Sequence, residues 1–260
     1  MHLLVLILIA ALAVLLLAVD FGVIDALHVQ PRPRAGQKRV ACVGDSITYG
    51  CFVPGQPWNS YPRQLGRMLG RMLGRGYCVG NFGYTNRTAL KKADHPYTAE
   101  KLYRQSLAFQ PDIVLLMLGS NDTKAINWNA EAYARDLGEL IESYRELESR
   151  PQVFLLLPPP VFPFCGKVRW DIRSEVLENE VLPICRRVAE EKGVPVIDIH
   201  SAFIGRKELF VDGCHPNARG ARVIAEAAQL KINELEYYTF RAGNEKLQVY
   251  RREKSNVHNS

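Results

Sequence analysis

Short, almost entirely apolar runs recur along the chain from residue 39 onward, separated by longer stretches with a helical period. These runs show little alternation of polar and apolar positions, which is typical of strands that are buried on both faces. They lie at Val40–Val43, Tyr77–Val79, Ile113–Leu118, Val153–Leu157 and Val194–Ile199. The pattern predicts five parallel strands in the centre of one domain.

Three of the intervening stretches carry apolar residues at the 3.6-residue spacing of an amphipathic helix. The first follows Asn129, whose side chain suits an N-cap, and the second ends at Gly193. The third follows Asn217 and continues to Leu235. Because strands and helices alternate, we expect an α/β fold with helices on both faces of a parallel sheet.

The beginning of the chain has a different pattern. Residues 3–19 contain no polar side chain, and a helix of that length spans about 26 Å, close to the thickness of a bilayer core. No Lys or Arg precedes the run and no clear cleavage site follows it. An uncleaved membrane anchor is therefore favoured over a signal peptide that is removed on secretion. All flanking positive charge lies at 32–39, which favours a cytoplasmic domain, although the side of the membrane stays open.

These patterns divide the chain into four parts. Residues 1–30 hold the anchor or signal segment, and 31–38, rich in Pro and Arg, form a linker. The folded domain is expected at 39–236. Residues 237–260 are polar without a clear apolar period and are predicted to be a loosely attached tail.

Composition excludes several classes of protein. The chain has 260 residues, 47% of them hydrophobic and 23% charged, as in an ordinary globular protein. Its net charge of +6 could attract an anionic partner, but the basic residues are scattered and no nucleic-acid-binding motif is present. The six cysteines are dispersed without a CxxC pair, so no metal or redox motif is indicated. Neither disulfides nor the oligomeric state can be inferred.

Candidate chemistry starts at "VGDSITYG", residues 43–50, where Ser46 directly follows the first predicted strand. A serine in such a turn acts as a nucleophile only with a base, an orienting acid and donors for an oxyanion. Gly83 and Asn121 follow the next two strands, and Asp212 and His215 precede the last helix. Loops of this kind meet at the carboxyl edge of an open α/β sheet.

The residue types at these positions match the needs of ester hydrolysis. His215 can take the proton of Ser46, and Asp212, three residues away, can orient His215. The backbone N–H groups of Ser46 and Gly83 and the side-chain amide of Asn121 can bind an oxyanion. Asp45 is expected to shape the turn. A rival acid and base, Asp198 and His200, lie after the last strand.

Four motifs in this order, "GDSIT" (44–48), Gly83, "GSND" (119–122) and "DGCH" (212–215), resemble the sequence blocks of the SGNH (GDSL-type) hydrolases. The resemblance covers about residues 39–235. It implies a flavodoxin-like, three-layer α/β sandwich with a five-stranded parallel sheet, and neither a metal nor an organic cofactor. It also implies that Ser46 is the nucleophile, His215 the base and Asp212 its acid. Ser46, Gly83 and Asn121 would form the oxyanion hole.

More local similarity, in "NFGYTNRTAL" (81–90), in residues 95–122 and in "NW" (127–128), resembles the sialate O-acetylesterase-like and related carbohydrate O-acetylesterase branch. Many relatives have Ser-Gly where this chain has Thr85-Asn86. Asn tolerates left-handed backbone angles, so the loop can keep its shape. The candidates for a sugar-facing wall, each of which could instead be a packing or surface residue, are Trp58, Tyr84, Arg87 and Trp128.

The expected function is that of a serine esterase that removes small acyl groups, foremost acetyl, from carbohydrate. One alternative is an esterase of the same chemistry acting on lipid or an acyl thioester at a membrane. The sequence shows no long apolar lid that would favour long acyl chains. The other alternative is a non-catalytic glycan-binding module built on a hydrolase scaffold.

Overall fold

A five-stranded parallel sheet forms the centre of the computed structural model, in agreement with the prediction from sequence. The structure describes residues 5, 7–12, 14, 30–72 and 76–257, with only the backbone described for 242–257. The strands are β1 (Lys38–Gly44), β2 (Tyr77–Gly83), β3 (Ile113–Met117), β4 (Gln152–Leu156) and β5 (Val196–Ile197).

The last strand is shorter than the apolar run at Val194–Ile199 suggests, for reasons at both of its ends. Pro195 has no N–H to donate to the sheet, so the strand begins after it. Asp198 then ends the strand by capping a helix, since its side chain accepts from the Ser201 N–H. An apolar run therefore overstates a strand when proline and a capping residue lie within it.

Helices cover both faces of the sheet. They are α1 (Ser46–Tyr49), α2 (Gln56–Asn59), α3 (Tyr61–Met72), α4 (Lys101–Ala108), α5 (Ala130–Arg145), α6 (Ser174–Val176), α7 (Leu182–Lys192), α8 (Ile199–Phe203) and α9 (Ala218–Val257). Short 3-10 turns lie at Tyr97–Ala99, Asn121–Thr123 and Lys207–Leu209, and a π-helical turn lies at Leu177–Val181. The expected three-layer α/β sandwich is confirmed.

The alternating direction of strand side chains divides the core into two layers. On one face, Ala41 and Val43 of β1 belong to the cluster that contains the buried side chains of α5 and α7. On the other face, Val40 and Cys42 belong to the cluster formed with α3, α8 and α9. Because both faces are covered, the strands need apolar residues at every position, which is why the runs show no alternation.

Two helix boundaries predicted from sequence are observed. The Asn129 side chain caps α5 by accepting from the Ala132 N–H at 2.9 Å. Gly193 ends α7 in the left-handed conformation, with φ of 61°. Pro183 lies at the second position of α7, directly after the π-helical turn at Leu177–Val181, and the buried residues of α7 continue past it.

The predictions for the two ends of the chain have different outcomes. Most of residues 3–19 lie outside the described residues, so the anchor or signal segment stays a prediction. In the part of the chain that the structure describes, no helix has the length and apolar character needed to cross a membrane. At the other end, α9 continues to Val257 through the predicted polar tail. Residues 237–257 contain no proline and only Gly243, so nothing in them stops the helix.

The strand order places the loops that carry the candidate residues at one point of the sheet edge. The order is β2-β1-β3-β4-β5, so the chain leaves β1 toward β2 and returns to place β3 on the opposite side of β1. The crevice between the carboxyl ends of β1 and β3 is the switch point where ligands bind in such sheets. Ser46 follows β1, and Asn121 follows β3.

Candidate active site

The turn that carries Ser46 is fixed by its neighbours in sequence. Asp45 caps the single-turn helix α1 by accepting from the Ile47 N–H at 2.9 Å, and Gly50 ends the helix with φ of 92°. At Gly44 a Cβ would collide with the Thr48 hydroxyl and with the Met117 carbonyl of β3. These residues therefore hold Ser46 at the first position of a helix directly after β1, close against β3.

Ser46, His215 and Asp212 form a continuous chain of hydrogen bonds. The Ser46 hydroxyl lies 2.9 Å from His215 Nε2, and His215 Nδ1 lies 2.8 Å from Asp212 Oδ2. A carboxylate only accepts, so Nδ1 carries a proton and Nε2 is free to accept from Ser46. All three side chains are buried, in residues 5–8% exposed. The structure thus brings together the three residues that the sequence predicts as a triad.

Asp212 is surrounded by donors. Its Oδ1 accepts from the backbone N–H groups of Cys214 and His215, and its Oδ2 also accepts from the Trp170 indole N–H at 2.8 Å. Burial by itself would raise the pKa of Asp212, but the hydrogen bonds and charge of His215, together with the Trp170 bond, outweigh it. The pKa of Asp212 is held well below its usual range, and the side chain is ionised at neutral pH.

The rival pair after β5 does not contact Ser46. The His200 Nδ1 is bonded to the Pro158 carbonyl at 2.8 Å, and the Asp198 carboxylate binds Arg186 at 2.7 Å and the Ser201 hydroxyl at 2.9 Å. Both residues therefore stabilise the end of β5 and the start of α8.

Gly83, one of the predicted oxyanion donors, has its N–H bonded within the protein. Its N–H donates to Asn81 Oδ1 at 3.0 Å, and a Cβ at this position would collide with the Tyr49 backbone nitrogen. Gly83 is thus required by the close packing of α1 on β2, and its N–H is already bonded. It is absent from the residues that line the cavity at Ser46.

Asn86, three residues further on, has the features expected of that donor. It lines the cavity with Ser46, and its backbone is left-handed, with φ of 66°. Among the described residues, no acceptor faces the backbone N–H of Asn86 or that of Ser46. Sequence analysis noted Asn86 as a departure from Ser-Gly, and its tolerance of left-handed angles was the signal that could have identified it.

Asn121 also lines the cavity, as the sequence predicts. Its side-chain amide donates to the Arg87 carbonyl at 3.1 Å and makes a longer contact of 3.4 Å with Asp45 Oδ2. One N–H of the amide therefore holds the turn after β2, while the other is only weakly bonded. The second N–H is available to a ligand oxygen.

The cavity above Ser46 has a volume of about 430 Å³ and one aromatic wall. Phe52 and Trp170 form this wall, with ring centroids 5.8 Å apart and planes 25° from parallel. Both rings also contact the His215 imidazole edge-on. The sequence offered no signal for Trp170, because it lies in an irregular loop between β4 and α6.

The four residues predicted as a sugar-facing wall do not line this cavity. Trp58 is 66% exposed in a separate groove beside Arg63 and Arg67. Trp128 packs on Tyr133 and donates to Glu180. Arg87 lies over the ring of Tyr84 and forms an ion pair with Glu100. The aromatic wall of this cavity is therefore formed by residues that the sequence did not indicate, because the loop carrying Trp170 returns to the site only through tertiary packing. A contact of the four predicted residues with sugar stays a prediction.

Two further carboxyl groups are buried beside the site. Burial raises the pKa of Asp45 to about 6, against the lowering effect of the Ile47 N–H. Burial likewise raises the pKa of Asp122 to about 7, although the backbone N–H groups of Leu90 and Ala89 donate to it. Asp122 thereby ties the loop after β2 to the loop after β3, and Asp45 shapes the turn as the sequence analysis expects.

Comparison with known proteins gives a consistent picture. Residues 42–223 match the model of the GDSL-like lipase/acylhydrolase family. An acetylxylan esterase from Xylanibacter ruminicola is 36% identical over 222 residues, which are 77% of this chain and 45% of that protein. This chain therefore spans less than half the length of that relative. A GDSL esterase/lipase from Arabidopsis thaliana, CPRD49, is 22% identical over 77% of this chain and 80% of its own length.

Solved structures share the fold. A putative arylesterase from Agrobacterium tumefaciens matches with a TM-score of 0.60 at 24% identity, covering 76% of this chain and 99% of that one. A carbohydrate acetylesterase family member from Sinorhizobium meliloti matches with a TM-score of 0.58 at 22% identity, covering 76% and 98%.

Proposed function

This chain belongs to the GDSL-like lipase/acylhydrolase family, and from that premise we propose that it is a serine esterase that removes acetyl groups from carbohydrate. The observation that carries the proposal is the hydrogen-bond chain from Ser46 through His215 to Asp212 at the base of a cavity. The 36% identity to an acetylxylan esterase supports the choice of an acetylated carbohydrate.

In the first step the Ser46 oxygen attacks the ester carbonyl. His215 Nε2 accepts the hydroxyl proton as the new C–O bond forms, and the carbonyl electron pair moves onto the carbonyl oxygen. Asp212 keeps the proton on His215 Nδ1 and stabilises the imidazolium that results. Its low pKa means that it stays ionised throughout.

The negative oxygen of this intermediate needs donors that are already in place. The backbone N–H groups of Ser46 and Asn86 and the weakly bonded N–H of Asn121 suit this role, since all three residues line the cavity. Asn86 takes the place that the sequence analysis gave to Gly83. A substrate oxygen would replace the long contact between Asn121 and Asp45.

The intermediate then collapses. The electron pair returns to the carbonyl, the sugar oxygen leaves, and His215 donates its proton to that oxygen, which leaves an acetyl-Ser46. Water attacks this ester next, giving its proton to His215. The acetate departs as the Ser46 oxygen recovers the proton.

The cavity favours a small acyl group on a ring-shaped alcohol. Its lining combines polar groups of Ser46, Asn86 and Asn121 with the aromatic wall of Phe52 and Trp170. Flat aromatic rings suit the apolar face of a pyranose, while the polar groups suit a short acyl group.

The test compares wild type with Ser46→Ala on p-nitrophenyl acetate, on longer p-nitrophenyl esters and on acetylated xylo-oligosaccharides. We expect Ser46→Ala to lower kcat by about 10⁴-fold or more. Unchanged hydrolysis by that variant would rule out the Ser46 mechanism. A higher kcat/KM on octanoyl than on acetyl esters would reject the acetyl proposal in favour of a lipid or thioester substrate. No hydrolysis of any ester by the wild type would favour the glycan-binding alternative.

A further inference from the structure

Lys124 is a buried cation beside the cavity that the ester chemistry does not use. Its side chain is 11% exposed and lines the cavity together with Ser46 and His215. The ammonium group donates to Asn86 Oδ1 and lies 3.5 Å from Asp94 Oδ2. A buried ammonium is costly unless its partners are specific. Its contact with the Asn86 side chain therefore needs an explanation.

The ion pair with Asp94 argues against a role in attracting an anionic substrate. Burial by itself would raise the pKa of Asp94, but the hydrogen bond from the Asn127 amide and the charge of Lys124 outweigh it. The net effect is a lowered pKa, so Asp94 is ionised at neutral pH. The Asn127 amide donates to Asp94 Oδ1 at 2.8 Å and contacts the Asn121 carbonyl at 3.2 Å. The Lys124 charge is therefore balanced within the protein.

Lys124 holds a turn of the cavity wall whose backbone is left-handed. Asn86 has φ of 66°, a value that side chains other than glycine adopt at a cost. Lys124 holds the Asn86 side chain from one direction, and the Asn121 amide holds the following carbonyl, that of Arg87. Together these bonds fix the turn that holds Asn86 in the lining of the cavity.

We propose that Lys124 is a positioning residue for the oxyanion site: by holding the Asn86 side chain, it keeps the Asn86 backbone N–H directed at the developing negative charge. The proposal rests on the esterase function above. The bond from Lys124 to Asn86 links the loop after β2 to the loop after β3, so Asn86 and Asn121 keep their positions relative to each other. Misplacing such a donor by about 1 Å is enough to slow the chemical step about 100-fold.

The experiment measures the effect of Lys124→Met on kcat in two backgrounds, the wild type and Asn86→Gly. Glycine adopts left-handed angles without side-chain support, so it does not need the Lys124 bond. We expect Lys124→Met to lower kcat for p-nitrophenyl acetate about 10- to 100-fold in the wild type. In the Asn86→Gly background we expect a loss of less than about 2-fold. KM should change little, because the donor acts in the transition state.

An equal loss in both backgrounds would overturn the proposal, since it would mean that Lys124 acts by its charge or by general stability. No loss in the wild type would overturn it as well. Lys92→Met, at an exposed lysine of the loop after β2 that also carries Asn86, is the control and should leave kcat unchanged. Thermal unfolding of each variant separates positioning from folding.

If Lys124→Met does not fold, Lys124→Arg is measured in the same two backgrounds. Arg keeps the charge but presents its N–H groups in a different, planar geometry. Again, a loss confined to the wild-type background supports the proposal, and an equal loss or no loss contradicts it. Ser46→Ala is run alongside, so that failure of the esterase function is seen separately.

Discussion

The two sides of the cavity are built in different ways. The proposed nucleophile side consists of Ser46, His215 and Asp212. Each of its two loops is shaped by local bonds, because Asp45 caps the turn of Ser46 and Asp212 binds the backbone N–H groups two and three residues after it, while the bond from Ser46 to His215 joins the two loops across 169 positions. The oxyanion side consists of Asn86, Asn121 and Lys124. Its bonds join residues far apart in sequence, 38 positions for Lys124 to Asn86 and 34 for Asn121 to Arg87.

This difference explains which residues can be found from sequence. A local motif keeps its shape because neighbouring residues provide its hydrogen bonds, so short sequence blocks identify it. A turn held by distant partners has no such block. Single substitutions on each side should therefore separate the two.

On the nucleophile side, replacing a single atom should cause the largest loss of kcat. Asp212→Asn keeps the size of the side chain but no longer favours a proton on His215 Nδ1, so we expect kcat to fall about 10⁴-fold. The measurement is p-nitrophenyl acetate hydrolysis. Asp198→Asn is the matched control and should have no such effect, because Asp198 binds Arg186 and Ser201 instead. A larger loss at Asp198 would reverse the assignment.

On the oxyanion side, Asn121→Ala removes a donor and one support of the turn at Asn86. We expect kcat to fall about 10²- to 10³-fold, with KM for the small ester nearly unchanged. Asn129→Ala provides the comparison, since it removes only the cap of α5. It should lower the free energy of unfolding by about 1 kcal/mol without lowering kcat. Similar kcat values for the two variants would contradict the oxyanion role.

Asp45 lies where the two sides meet and should make its own contribution to the pH dependence of stability. Its pKa is raised to about 6 in the folded state. At this position the folded state binds more of a proton than the unfolded state between about pH 4 and about pH 6, so the contribution of Asp45 to stability falls as pH rises through that range. Asp45→Asn does not titrate. Its stability relative to wild type should rise by about 3 kcal/mol between about pH 4 and about pH 8.

Denaturant unfolding of wild type and Asp45→Asn across this pH range provides the measurement. The Asn oxygen can still accept from the Ile47 N–H, so the cap of α1 is retained. A stability difference that is the same at every pH would show that the burial of Asp45 does not control its charge.

The smallest effect is expected at Trp170, which bonds Asp212 from a loop 42 positions away. Trp170→Phe removes the indole donor to Asp212 Oδ2 but keeps an aromatic ring against Phe52. We expect kcat to fall about 3- to 10-fold, in line with the loss of one charge-assisted hydrogen bond. Trp58→Phe, in the separate groove, should change nothing. Equal kcat values for the two variants would show that the indole bond from Trp170 to Asp212 does not contribute to catalysis.

The sequence analysis succeeded where each inference rested on local chemistry. Five apolar runs identified the strands, Asn129 and Gly193 marked helix ends, and the spacing of Asp212 and His215 indicated their pairing. It placed the oxyanion donor at Gly83, because a glycine after a strand leaves its N–H accessible. The structure shows that N–H bonded to Asn81 and the glycine serving the packing of α1.

Hydrophobic periodicity and short-range hydrogen bonds depend on consecutive residues, so they were enough to predict the sheet, the two layers of helices and the local turns at Ser46 and Asp212. The bond between Ser46 and His215, 169 positions apart, depends on the fold. Only the tertiary structure decided that Asn86 faces the cavity, that Lys124 supports it and that Phe52 and Trp170 form the wall. The physical reason is that these contacts join loops after different strands. Their geometry depends on the order β2-β1-β3-β4-β5, which brings the loops after β2 and β3 to either side of the loop after β1.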